Sequence, residues 1–205
     1  MEEKKINIIE KVIPLFMKYG IKSVSMDDIA NELGVSKKTL YLEFSDKSEL
    51  IEAAMNHAFS ENKKFFQNVV LKKINAIESF IEVTKFVRRM LESITPTAYF
   101  DLQKYYPELL CGHIEVKRQE VISRLKENIL KGINEELYRN DINIDIISKL
   151  YFFNIRNIVN EFYDFDNNFS KAEIFTEFVK YHLNSIVTEK GRLILKKQNF
   201  ETNDK

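Results

Sequence analysis

The junction Gly34-Val35-Ser36 constrains this chain more than any other feature, because it separates two short amphipathic segments that can only be helices meeting at a sharp turn. The first opens at Ser25-Met26-Asp27-Asp28, where Ser25 can accept from the free amides and Asp28 holds the third helical position, as in a capping box with Asp in place of Glu. Met26, Ile29, Ala30 and Leu33 give it one apolar face, and Gly34 ends it. Ser36 caps the second, which turns Val35, Leu40 and Phe44 toward a core. An earlier segment, Lys4 to Tyr19, repeats Ile6, Ile9, Ile13 and Phe16 at helical spacing and stops at Gly20. Pro14 lies inside it and removes the donor that would bond Glu10, so a kink or a local loosening is expected there. Asp46 and Glu49 form another box-like start, for a long helix from about Lys47 to about Lys64.

Two short helices packed on a preceding one are a helix-turn-helix. The helix that begins at Ser36 can project its first turns into a major groove of DNA. Charge alone does not announce such a partner. The chain is neutral overall, and residues 1–50 hold eight lysines against nine carboxylates. Any DNA contact therefore rests on placement. Lys37 and Lys38 stand at the start of the second short helix, and Lys47 stands in the first turn of the long one. Ser25, Thr39 and Tyr41 add hydroxyls suited to phosphate.

Beyond residue 50 the texture changes: fourteen of the 16 Phe and seven of the nine Tyr lie there. With five Gly and three Pro in 205 residues, long helices are expected, over about 76–94, 97–105, 107–137, 143–164 and 170–189. Pro96, Pro107, Asn140-Asp141 and Asp166-Asn167-Asn168 mark breaks, and Ser170 caps the last helix. The chain reads as all-α, with a small helix-turn-helix domain over residues 1–46 and a larger aromatic-rich helical bundle over 47–205. The polar tail after Gly191 is expected to fray. A single cysteine, Cys111, excludes an intrachain disulfide and a cysteine zinc cluster. The charged N-terminus is no signal peptide and no segment is a membrane span, so the expected location is the cytoplasm.

The stretch SVSMDDIANELGVSKKTLYLEFSDKSEL, residues 23–50, closely resembles the signature of the TetR family of repressors. Its Ile-Ala, Gly-Val-Ser, Thr-Leu-Tyr, following Phe, and Lys47 with Glu49-Leu50 after it all fall at the family's spacing. The resemblance implies a homodimer on a palindromic operator, released by a small-molecule effector, with no catalytic residues, metal or cofactor. It assigns Lys37, Lys38, Tyr41 and Leu42 to base edges. Ser25, Thr39 and Lys47 go to the backbone, with Ser36 opening the helix at the same surface. Lys38 stands where the family often has a small residue. Leu42 can touch a thymine methyl, and Glu43 repels phosphate unless it faces away or accepts from a cytosine amino group.

The last two long helices are the expected dimer interface, through Ile146, Leu150, Phe153, Ile174, Phe178 and Tyr181. The expected effector lining is Phe65, Phe86, Tyr99, Phe100, Tyr105, His113, Phe152 and Arg156, though each aromatic there fits a plain core equally well. Arg156 suits an anionic ligand or a carboxylate such as Glu161. His113 beside Cys111 suits a surface helix start better than a metal site, because His57 and His182, the only other histidines, are isolated in sequence. The competing function is a helical binding protein that does not read DNA, which Glu43 and the neutral head favour. An enzyme ranks lower, since no nucleophile with a base, metal-ligand set or phosphate loop is present.

Overall fold

A computed structural model describes residues 2–160 and 169–200, and every named element among them is an α-helix. In chain order these are α1 (Glu2–Tyr19), α2 (Met26–Glu32), α3 (Lys37–Glu43), α4 (Lys47–Leu71), α5 (Ala76–Ser93), α6 (Pro96–Tyr105), α7 (Pro107–Asn134), α8 (Ile144–Asn160), α9 (Lys171–Ile186) and α10 (Glu189–Leu195). The all-α expectation holds. Among the described residues no helix is long and apolar enough to cross a membrane. The chain forms two compact units, Met1–Phe65 with Ser93–Glu115, and Phe66–Glu92 with Val116–Lys205. These divide the chain by packing, whereas the boundary expected at residue 46 rests on the helix-turn-helix pattern of the sequence.

In the first unit α1 buries Ile8, Ile9, Val12 and Phe16. At about 100° per residue this arc is centred near Val12, which leaves Ile13 at its margin and Ile6 outside it, exposed. The helix runs through Pro14, which lies on its exposed side. The expected caps are all present. At α2 the Asp28 amide donates to Ser25 Oγ at 3.1 Å, and the Ser25 amide donates to Asp28 Oδ2 at 2.8 Å. Gly34 leaves the helix at φ +65°, a left-handed turn residue. Ser36 Oγ accepts from the Thr39 amide at 3.0 Å. At α4 the Glu49 amide donates to Asp46 Oδ1 at 2.9 Å, and the Glu49 carboxylate accepts from the Ser45 amide at 2.7 Å. That helix continues past Lys64 to Leu71. Leu40, Phe44, Leu50 and Ile51 close the core beneath α3.

The second unit centres on Ile77, Ile129, Phe175, Val179, Leu183 and Ile186. Here two expected ends are wrong. α7 stops at Asn134, because the Leu137 and Tyr138 amides turn back to the Gly132 carbonyl at 2.8 and 3.0 Å. α9 stops at Ile186, because Val187 is extended and makes an isolated bridge to Tyr138. Arg139 N–H donates to the Ile186 carbonyl at 2.8 Å, and Thr188 N–H to that of Leu137 at 2.9 Å. Thr188 then caps α10, so the tail expected to fray from Gly191 is helical to Leu195. The expected break at Asp166-Asn167-Asn168, and the end of the helix before it, lie outside the described residues.

Candidate nucleic-acid interface

Helix α3 divides its residues sharply between two faces. Leu40 is fully buried and Phe44, its C-cap, nearly so, which pins the helix to the core. Lys37, Lys38, Tyr41 and Leu42 face solvent, and Leu42 is 74% exposed. A leucine held in water by so short a helix costs apolar hydration that burial against a partner recovers. Glu43 does not share that surface. Its carboxylate pairs with Lys4 of α1 at 3.0 Å and its side chain is only 10% exposed. Of the two outcomes open to Glu43, it faces away, so the outward face of α3 is cationic, aromatic and aliphatic.

The charges on that face differ in freedom. Lys37 is bound to Asp27 of α2 at 2.7 Å, and this carboxylate raises the lysine's pKa. Lys38 makes no ion pair among the described residues. Ser25 spends its only hydroxyl proton on Asp28 Oδ2 at 2.6 Å, and the Ser25 donors hold Asp28 below the usual carboxylate range. A phosphate would take that proton only by displacing Asp28. The Ser36 and Thr39 hydroxyls lie 2.7 Å apart. One proton serves that contact, which leaves the other hydroxyl a donor for an anion.

Lys47 sits differently from its expected role. Its ammonium donates to the Ile21 carbonyl and, at 3.4 Å, to that of Lys22. Burial lowers its pKa, against the opposing fields of Asp101 and Asp28. Thus it braces the turn between α1 and α2. That turn also meets α6, where the buried carboxylate of Asp101 accepts the Lys22 N–H at 2.7 Å. Nothing in the local sequence marks Asp101, which lies 79 residues from its partner.

The residues expected to line an effector site fall in both units. Phe65, Tyr99, Phe100 and Tyr105 belong to the first. Phe100 and Tyr105 are partly exposed there, beneath the Lys104 ammonium at 5.2 and 5.4 Å. Burial pushes the Tyr99 hydroxyl up to about 12. Phe86, Phe152 and Arg156 belong to the second unit, where Phe86 makes an edge contact with Phe66 at 5.7 Å and Arg156 is exposed. The His113 side chain and all of Glu161 lie outside the described residues. Missed altogether was a cluster in the second unit. The ring of His182 stands 5.8, 4.7 and 6.2 Å from those of Phe80, Tyr151 and Phe178, and its buried Nε2 has no hydrogen-bond partner among the described residues.

Of the expected interface residues, Ile146, Leu150 and Phe153 each lie more than half exposed at i, i+4 and i+7 of α8, one continuous apolar stripe. On α9 Tyr181 is largely exposed, Ile174 is half-buried, and Phe178 packs partly on the core at 5.3 Å from Tyr151.

Known proteins resemble this chain in sequence and fold. Residues 8–54 match the family described as bacterial regulatory proteins, tetR family. An uncharacterized HTH-type transcriptional regulator, YvaF, of Bacillus subtilis (strain 168) is 25% identical over 82% of this chain and 87% of its own. IcaR, the negative transcriptional regulator of the biofilm operon icaADBC in Staphylococcus aureus (strain Newman), is 25% identical over 64% of this chain and 70% of its own. The crystal structure of a transcriptional regulator from Cytophaga hutchinsonii ATCC 33406 superposes with a TM-score of 0.78 and 18% identity, covering 90% of this chain and 99% of that one, a likeness of fold.

Proposed function

We propose, from the premise that this chain belongs to the TetR family of bacterial transcriptional regulators, that it is a cytoplasmic homodimeric repressor that binds a palindromic operator and leaves it when a small-molecule effector binds. Residues 1–46 are the DNA-binding domain in this account, and residues 47–205 carry effector binding and dimerisation. The observation that carries it is the outward face of α3, where Lys38, Tyr41 and Leu42 stand free of the core that holds Leu40 and Phe44. Lys37, Lys38, Tyr41 and Leu42 meet base edges, and Ser25, Ser36 and Thr39 meet the backbone. Lys47, whose ammonium bonds the carbonyls of Ile21 and Lys22, keeps a third N–H for the backbone.

One such helix covers too few bases for a useful specificity ratio, and two related by a twofold axis read a palindrome. The α8 stripe supplies exposed apolar surface for that axis, extended by Ile174, Phe178 and Tyr181 of α9. Repression follows the likeness to IcaR. Induction requires only that the effector favour the state that does not bind DNA. The competing account, a helical protein that does not read DNA, rested largely on Glu43, which faces Lys4 rather than the groove side. Selection of bound duplexes from random DNA tests the proposal. A palindromic consensus, with affinity falling steeply as salt rises, is expected. Recovery of no preferred sequence sinks it.

A further inference from the structure

The turn that delivers the chain from α1 to α2 is held by residues far outside the helix-turn-helix. Gly20, at φ +84°, permits the reversal, and a Cβ there would stand 3.0 Å from both Asp101 Oδ2 and Thr97 Cγ2 of α6. Thr95, the N-cap of α6, donates its hydroxyl to the Met17 carbonyl in the last turn of α1 at 2.9 Å. The Lys22 N–H donates to Asp101 Oδ2 at 2.7 Å, and the Lys47 ammonium bonds the carbonyls of Ile21 and Lys22. The peptide groups around Lys22 are thus gripped from two directions, three residues before the Ser25 cap that starts α2. Asp101 is only 6% exposed. A buried carboxylate is expensive, and an apolar residue would fill the site at lower cost. Its use lies in direction, because a carboxylate fixes a backbone N–H where an apolar side chain cannot.

We propose that Asp101 is a positioning residue for DNA recognition: by holding the Lys22 amide it sets where α2, and the α3 helix that follows, stand. This rests on the DNA-reading function proposed above. It adds a determinant of specificity that touches no DNA and lies beyond residues 8–54.

The test measures affinity, per folded dimer, for a duplex recovered by the wild type from random DNA and for a scrambled duplex of equal composition. Asp101→Ala is expected to weaken binding to the recovered duplex by about tenfold, while the scrambled duplex and the salt slope stay as in wild type, because no phosphate-binding cation is lost. Hydrogen exchange at the Lys22 amide should quicken. Asp101→Asn keeps an acceptor oxygen and should recover about half of that loss in free energy. If Asp101→Ala does not fold, Asp101→Asn alone should still show a weakening of roughly threefold confined to the recovered duplex. Wild-type affinity in a folded Asp101→Ala protein, or in Asp101→Asn when that is the only folded variant, overturns the positioning role. So does an equal loss on both duplexes. If the wild type itself recovers no sequence, the DNA-reading function has failed first and this inference falls with it.

Discussion

Helices α3 and α8 both hold apolar side chains in water, and they do so in different company. On α3 the exposed Leu42 and Tyr41 are interleaved with Lys37 and Lys38. On α8 the exposed Ile146, Leu150 and Phe153 form an apolar stripe, with the exposed Lys149 at its flank. A mixed surface suits a partner that is itself charged and hydrated, such as duplex DNA. A stripe of three large apolar side chains suits a surface of its own kind, as at a twofold interface. The same contrast extends inward. Around α3 two ion pairs join neighbouring helices, Lys4 with Glu43 and Lys37 with Asp27. In the second unit His182 lies among rings, its Nε2 unpaired among the described residues.

The largest expected effect breaks the α8 side of this contrast. Leu150→Glu combined with Phe153→Glu places like charges into the proposed interface from both subunits, at a cost of about 4 kcal/mol or more. Sedimentation velocity at micromolar concentration should then find monomer where the wild type is dimer. A variant that stays dimeric, or a wild type that is monomeric, removes α8 from the interface.

Next comes acid. Burial pushes the His182 imidazole down to about 4, below its ordinary 6.5. The folded state therefore favours the neutral ring, and unfolding takes up a proton between those values. Stability is full above about pH 6.5 and declines as pH falls to about 4, by about 3 kcal/mol in all. His182→Phe, whose ring fits among Phe80, Tyr151 and Phe178, should flatten that decline in chemical unfolding curves taken at several pH values. Superimposable profiles for the two proteins would show that His182 does not set the acid response.

The α3 side breaks at its charges. Lys37→Ala with Lys38→Ala should weaken the recovered duplex by about 2 kcal/mol, some thirtyfold, and lower the salt slope by up to about 2, with the melting temperature nearly unchanged. Lys38, with no ion pair to break, should account for most of it. Unaltered affinity would contradict the assignment of α3 as the helix that reads bases.

The two regions were also unequally legible in the sequence. Around α3 local chemistry determines local structure. Ser25, Gly34, Ser36 and Asp46 each act within four residues, so caps, turn and buried face could all be read from spacing. The end of α9 was not readable that way, because Val187 leaves the helix to pair with Tyr138, 49 residues earlier, and Thr188 then starts a helix that composition assigned to a frayed tail. The roles of Lys47 and Asp101 were hidden for the same reason. Lys47 looked like a phosphate ligand from its place in a first turn, and only the fold shows two carbonyls at its ammonium. The aromatic residues after position 50 have the spacing of a core and of a ligand site alike. Periodicity could not separate those uses, and it passed over His182.

The smallest expected effect joins the two surfaces. Leu42 is 74% exposed in the free protein, so Leu42→Ala removes almost no packing and should leave stability unchanged within about 0.5 kcal/mol. On DNA it removes an apolar contact that the proposal gives to a thymine methyl, worth about 1 kcal/mol at most. The loss should fall on one base position and leave neighbouring preferences alone, unlike the general weakening from lost lysines. If α8 makes the dimer, that position occurs twice, at sites related by the operator's twofold axis, and each half should relax equally when the selection is repeated with the variant. Relaxation in one half only would mean that the two α3 helices are not equivalently placed. No relaxation in either half would mean that Leu42 does not read a base.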